Sequence, residues 1–319
     1  MRRRHLLAAP AALLPLPALP QGSWPDRPLR VVVPFPPGAL TDILGRMVAD
    51  NLSRALGQPV VVENRAGGAT LIGAGVVARA APDGHTLLIA TSTTLGIALA
   101  LQANPPVRVD DFSPVAMIGD VRFYLVANRD FPANDLRGWV EAVRARPGAY
   151  SYASPGNGTV HHLLMETMSR RERLEMQHVP YQGSLQAMND IISGRVAMMW
   201  LDAAVAVPQI ASGTVKGIAV NGTGRIASSP NLPAVTELWP EISMTAWQTV
   251  VAPAGTPAPV VERLNAEINR VIASPEGRAQ LERVGVEARP MTPDALRSMI
   301  RADATRWAEL VRAAGLAPA

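Results

Sequence analysis

Apolar and polar positions along the chain switch between two periods, and the switches mark where elements begin and end. Val31, Val32 and Val33 form a β-branched run suited to a buried strand, and Pro34, Pro36 and Pro37 stop it. Gly38 tolerates any backbone angle, and Thr41 or Asp42 is placed to cap a helix over residues 43–56. Leu44, Met47, Val48, Leu52 and Ala55 keep helical spacing there, and Gly57 closes the helix. A helix start beside a glycine loop presents unpaired N–H groups and the positive end of the backbone dipole, which favours an anion.

The pattern recurs downstream. A strand over 59–63 leads through a glycine-containing loop from Arg65 to a small-residue helix over 72–80. The Pro82-Asp83-Gly84 turn then opens a strand over 86–90, which ends in the turn Thr91–Thr94. Residues 121–127 read as a strand, 136–146 as a helix stopped by Pro147 and Gly148, and 150–154 as a strand entering a second glycine loop at 155–159. A helix over 161–168 follows, so two strand–glycine loop–helix units lie in different halves of the chain. Further strands are predicted at 176–181, 196–201 and 215–220, with helices between them.

Such alternation predicts an α/β fold with largely parallel sheets. Beyond Trp247 the pattern is mostly helical, over 258–272, 276–284 and 293–313, and is too poor in strands for a sheet of its own. That tail is expected to pack back on the first domain, with the chain crossing between domains near 121–127 and again near 244–250. The 319 residues fit two domains at about 100 to 200 residues each. The expected division sets residues 24–124 plus 247–319 against 125–246.

Composition narrows the classes. A content of 48% hydrophobic and 18% charged residues supports a sizeable core and excludes a disordered chain. Arg2, Arg3 and Arg4 precede an apolar run ending near Leu19, with Gln21, Gly22 and Ser23 as a polar exit, which reads as an export signal over residues 1–23. The run is shorter than the roughly 20 residues a membrane span takes, and Pro10, Pro15, Pro17 and Pro20 interrupt it. Arg3-Arg4-His5-Leu6-Leu7 also resembles the twin-arginine export pattern, although the preceding Ser or Thr and the usual Phe are missing. Loss of this segment lowers the formal charge from +4 to about +1. A nearly neutral chain with 4% aromatics offers no nucleic-acid surface. Cysteine is absent, which removes disulfides, thiol catalysis and thiolate metal sites.

Motifs for other chemistries fail in context. Gly73-Ala-Gly-Val-Val-Ala78 matches a relaxed dinucleotide fingerprint, but the preceding strand ends near Asn64 and the next closes on Ala90-Thr91-Ser92 without an acidic residue. His161, His162 and Glu166 lack a further partner at metal-ligand spacing, and no serine sits in a Gly-x-Ser-x-Gly frame. Neither a cofactor nor a metal is expected.

An ordered set of motifs nevertheless spans the chain from Trp24 nearly to its end: residues 24–38 (WPDRPLRVVVPFPPG), 56–65 (LGQPVVVENR), 81–84 (APDG), 152–159 (YASPGNGT), 179–183 (VPYQG), 252–257 (APAGTP) and 264–269 (LNAEIN). In order and spacing they resemble the substrate-binding proteins of tripartite tricarboxylate transporters, the periplasmic receptors often called Bug proteins. The resemblance implies a two-domain periplasmic binding protein of type II, or Venus flytrap, architecture with the ligand between the domains. It also implies a monomeric, non-enzymatic receptor in the periplasm that hands a small organic carboxylate to membrane permease subunits. A sensor that presents the same closed form to a signalling partner, and an unrecognised periplasmic enzyme, are the alternatives.

Residue by residue, the expected site combines Gly38, Ala39, Leu40, Thr41 and Asp42 from the first loop with Ser154, Asn157, Gly158 and Thr159 from the second. The family pattern adds Asp202, and Phe35 and Thr93 at the ends of strands complete the set. Asp42 reads equally as a helix cap, and the two carboxylates are expected to hold waters, loop amides or a ligand amino group. The chain departs from the family at Gly38-Ala39-Leu40, where three glycines are usual, and at Thr70-Leu71 and Ala98, where an Asn is common. Each change removes polarity or adds bulk, which disfavours a compact, highly charged ligand such as citrate and suits a monocarboxylate or dicarboxylate with an apolar part.

Overall fold

The computed structural model describes residues 24–316 except 223, 227, 228 and 243, so the export segment assigned to 1–23 lies outside the described residues. In chain order the first part comprises β1 (Leu29–Val33), α1 (Leu40–Leu56), β2 (Val60–Asn64), α2 (Leu71–Ala78), β3 (Thr86–Thr91), α3 (Ala98–Ala100) and β4 (Phe112–Val121). Next come β5 (Phe123–Asn128), α4 (Leu136–Ala145), β6 (Ser151–Ser154), α5 (Val160–Glu172), β7 (Gln177–Pro180), α6 (Ser184–Ile192), β8 (Met198–Asp202), α7 (Ala203–Ala211) and β9 (Val215–Val220). The chain ends with α8 (Val235–Leu238), β10 (Ala246–Pro253), α9 (Ala258–Ala273), α10 (Pro275–Arg283), β11 (Val286–Ala288) and α11 (Pro293–Ala313).

These strands form a six-stranded sheet ordered β11-β4-β10-β3-β1-β2 and a five-stranded sheet ordered β7-β6-β8-β5-β9. Neither is largely parallel, contrary to the sequence expectation. β1 pairs in parallel with β2 and β3, and β6 with β7 and β8, whereas β10, β11 and β5 pair antiparallel with their neighbours. The reason lies in how the chain changes sheets. β4 leaves the first sheet at Val121 and β10 returns opposite that residue, with Ala246 paired to Val121, so the two strands must run in opposite directions. β5 likewise enters the second sheet opposite Asp202 and Val220, where β8 and β9 end.

The expected strand over 121–127 divides at Arg122, which lies between the sheets. Its N–H donates to Gly285 O at 2.8 Å, and its guanidinium donates to Asn221 O at 3.1 Å. Three strands went unread in the sequence. β4 and β10 are buried at nearly every position, so they have no alternation to detect, and β4 contains Pro114 and Gly119; β11 has only three residues. The C-terminal helices do pack back on the first sheet, α9 against β4 and α1 and α11 against β4 and the turn after β3, while α11 also reaches α5. Leu264, Ile268 and Ile272 of α9 share one buried cluster with Leu44, Val48 and Leu52 of α1.

Gly285 fixes the spacing at this junction. Its φ is +75°, and a Cβ there would stand 2.2 Å from Ala203 Cβ, across from the second sheet. Gly285→Ala combines a left-handed penalty of about 1–2 kcal/mol with an overpacking cost of similar size, whereas Gly213→Ala, at φ +71° with open space, incurs the first cost alone. Thermal denaturation should therefore show the larger drop in Tm for Gly285→Ala; equal drops would mean that the junction yields freely.

Candidate functional site

Strand β1 delivers the chain to the loop Pro34–Ala39, and α1 starts at Leu40, three residues earlier than its apolar spacing suggests. Its N-cap is Ala39, with extended backbone and no side-chain cap, so neither Thr41 nor Asp42 caps it. The N–H groups of Leu40 and Thr41, in the first turn, have no intrahelical partner. Asp42 instead ties down the loop. Its carboxylate accepts from Gly38 N at 2.9 Å, from Asn64 Nδ2 at 2.9 Å and from Arg46 Nε at 3.0 Å, while Asn64 Nδ2 also donates to Phe35 O at 3.0 Å. Burial pushes the Asp42 carboxyl up, but the bonds from Arg46, Gly38 and Asn64 outweigh it and hold the group below the usual carboxylate range. The Thr41 hydroxyl accepts from Gln248 Nε2 of β10 at 3.1 Å.

At the end of β3, Thr91 and Thr94 close their turn on each other, with Oγ1 atoms 3.1 Å apart and Thr94 N donating to Thr91 Oγ1 at 3.1 Å. This leaves Ser92 and Thr93 between them, both buried.

On the facing sheet, β6 ends at Ser154, whose hydroxyl donates to Gly156 O at 3.0 Å and lies 2.7 Å from His178 Nε2. Thr159 caps α5, accepting from His162 N at 3.4 Å and donating to Gly156 O at 2.9 Å. Gly158 N donates to His162 Nδ1 at 3.3 Å, and a Cβ on Gly158 would meet Leu101 Cδ1, from the first sheet's side, at 2.2 Å. Behind this loop, His162 and His178 stack with ring centroids 4.0 Å apart, and Tyr152 hydroxyl donates to Glu166 Oε1 at 2.5 Å. His161, on the other side of α5, turns towards Phe123, centroids 4.3 Å apart, and its Nε2 stands 3.8 Å from Asp202 Oδ1. Asp202 is the N-cap residue of α7, but its side chain makes no capping bond.

Between the sheets lies a cleft with about 300 Å³ of free space. The first turns of four helices border it: α1 at Leu40 and Thr41, α5 at Val160 and His161, α6 at Ser184 to Gln186, and α7 at Ala204 and Val205. Phe35, Ile43, Phe123 and Trp247 make much of its wall apolar, Asp202 is its one carboxylate, and no Lys or Arg among the described residues borders it. Three residues on the lining bury polar atoms without a hydrogen-bond partner: Ser92 Oγ, both ring nitrogens of His161, and Gln248 Oε1. Such atoms are costly unless something completes them.

Of the residues expected from sequence, Phe35, Gly38, Ala39, Leu40, Thr41, Thr93 and Asp202 border the cleft. Asp42, Ser154, Gly158 and Thr159 stand behind it in the bonds just described, and exposed Asn157 does not border it. Sequence reasoning passed over Ser92, His161, Gln248, Trp247 and the start of α6. Gln248, beside Thr249 in the mostly apolar run of β10, every residue of which is buried, was the signal available.

A cleft between two mixed sheets, faced by helix starts from both, defines a two-domain solute-binding receptor. The chain belongs to the family described as Tripartite tricarboxylate transporter family receptor, whose profile matches residues 44–316. It is 38% identical to the UPF0065 protein of the tcbD-tcbE intergenic region of Pseudomonas sp. (strain P51), over 91% of this chain and 87% of that one. Protein BugT of Bordetella pertussis is 36% identical, over 92% of this chain and 91% of BugT. Among solved structures, R. palustris Rpa4515 with adipate superposes with a TM-score of 0.88 at 30% identity, covering 93% of this chain and 100% of that one. MatC of Rhodopseudomonas palustris with bound malate gives 0.83 at 32% identity, covering 90% and 100%.

The histidine stack behind the cleft makes stability depend on pH. Burial, and then the neighbouring His162, push the His178 imidazole down to about 4, and burial lowers His162 as well. An unfolded chain titrates near the ordinary value of about 6.5, so between that pH and about 4 it binds more protons than the native state. Stability is therefore fully present above about pH 6.5 and is lost as pH falls towards about 4. Melting temperatures across this window should fall less steeply for His178→Gln than for wild type; identical slopes would mean that His178 takes its proton at the same pH folded and unfolded.

Proposed function

We propose that this receptor captures a small organic carboxylate with an apolar body and presents it to the permease subunits of a tripartite transporter. The observation that carries the reading is the convergence of the first turns of α1, α5, α6 and α7 on one cleft that no Lys or Arg among the described residues borders. Unpaired N–H groups and positive dipole ends hold an anion without a cationic side chain. The apolar wall of Phe35, Leu40, Ile43, Phe123 and Trp247 favours a ligand with hydrocarbon between or beside its carboxylates. The adipate and malate bound by structural neighbours point to the same class. Thr41, Ser92, Thr93 and Gln248 supply hydrogen bonds from the first sheet's side, and the protein acts as a periplasmic monomer exported by its N-terminal segment.

Closure needs no covalent step. The two passages between the sheets, at Arg122 and just before Ala246, act as hinges, and a ligand bridging helix starts from both sides favours the closed form by its differential affinity. The division of the chain at these passages, with 123–245 moving against the rest, belongs to this proposal and shifts the expected bounds of 125–246 by two residues and one.

Purified mature protein screened by thermal shift should be stabilised by adipate or benzoate and not by sugars. A ligand at a hundredfold excess over its Kd should add about 2.7 kcal/mol. Stabilisation by sugars or metal ions alone would sink the reading. Small-angle scattering at saturating ligand should show a smaller radius of gyration, with changed fluorescence from Trp247 on the cleft wall. Unchanged scattering with binding confirmed by calorimetry would mean a rigid pocket, leaving the permease no shape difference to recognise.

A further inference from the structure

We propose that His161 is a ligand-contacting and specificity-determining residue that takes up one proton from solvent when an anionic ligand enters the cleft. The inference rests on the carboxylate reading and deepens it. His161 is 9% exposed, borders the cleft in the first turn of α5, and both of its ring nitrogens are buried without a hydrogen-bond partner. Asp202 Oδ1, 3.8 Å from His161 Nε2, is near enough for charge to matter and too far for a hydrogen bond. The ring is thus held beside a carboxylate but not bonded to it.

Chemistry decides what a ligand does to this arrangement. A neutral imidazole offers one donor and one acceptor, whereas an ionised carboxylate only accepts. Closure that brings Asp202 from 3.8 Å into hydrogen-bond reach of Nε2, with a ligand carboxylate at Nδ1, makes both ring nitrogens donors and the ring the imidazolium. The ligand also brings a second negative charge beside the ring, which favours the protonated form. The proton comes from the protonated buffer or from hydronium, whose N–H or O–H bond breaks as one ring N–H bond forms. His161 with Asp202 then supplies the cation that the cleft otherwise lacks, and supplies it only with an anion in place.

Among the described residues, the other charged groups near the ring are engaged elsewhere. On its own helix, Glu166 faces the Tyr152 hydroxyl and Arg170, and His162 stacks on His178. From β5 the facing group is the Phe123 ring, and Arg122 before it is turned to Asn221 O and Glu287. The start of α6 brings only Gln182 to Gln186, all uncharged, to the cleft, and Arg170 at the far end of α5 lies against Gly315, just past α11. Across the cleft Thr41, Ser92, Trp247 and Gln248 carry no charge, and Asp42 is paired with Arg46.

The test is calorimetry of the mature protein with adipate and with benzoate, in Hepes and in Tris, whose ionisation enthalpies differ. Across about pH 6 to 8, wild type should take up protons on binding, up to one per ligand. Its Kd should rise with pH by up to about tenfold per unit. His161→Gln should bind more weakly, with no proton uptake and a flat pH profile. Asp202→Asn should reduce the uptake and move the profile to lower pH, while His178→Gln, behind the cleft, should keep the wild-type uptake. Matching melting curves without ligand confirm that each variant folds. Binding to wild type with buffer-independent heat, or unchanged uptake in His161→Gln, would overturn this proposal and leave the receptor reading standing. If neither acid binds at any pH, both fall together.

Discussion

An α-helix cannot pair its own first N–H groups, and that constraint governs this molecule's cleft. Each of the helices α1, α5, α6 and α7 follows a strand of the sheet it covers, so the strand ends of both sheets aim helix starts at a common space. The local details serve this aim. Asp42 fixes the loop before α1, Thr159 caps α5 and ties it to Gly156, and the Thr91–Thr94 pair closes the turn that bears Ser92. Asp42 and Thr159 stand behind the cleft rather than on its lining.

The same logic explains how much was legible in the sequence. Both glycine loops and the helices after them were readable, because prolines, glycines and helical spacing are local signals. The start of α1 was misplaced because an extended Ala39, rather than a capping side chain, ends the loop, and an alanine carries no signal for that role. Mixed strand direction could not be read, since it follows from where the chain leaves and re-enters a sheet, and residues 121 and 246 are adjacent only after folding. Of the site, the first loop was largely legible. In the second loop, Ser154 and Thr159 read as ligand donors, yet the structure gives their hydroxyls to Gly156 and His178. His161 read as an ordinary helix-start histidine, because only the folded chain sets it beside Asp202 and Phe123.

Of the positions that depart from the family pattern, Ala39 and Leu40 border the cleft, whereas Thr70, Leu71 and Ala98 do not. Leu40 brings an apolar side chain to the start of α1. The adjoining wall is apolar too, through Phe35 and Ile43. A compact polyanion would have to shed its water against these groups, whereas a longer or aromatic acid buries its hydrocarbon there.

A grip made of main-chain amides has a consequence for how such a receptor changes over time. Every residue but proline supplies an N–H, so substitutions at Leu40, Ile43 or Val205 alter the shape and polarity of the wall without removing the groups that face the anion. A cleft built on an arginine could lose its charge recognition in a single substitution. Here the attraction for a negative group belongs to the fold itself, and the lining is left free to drift from one acid to another while each intermediate sequence still binds something.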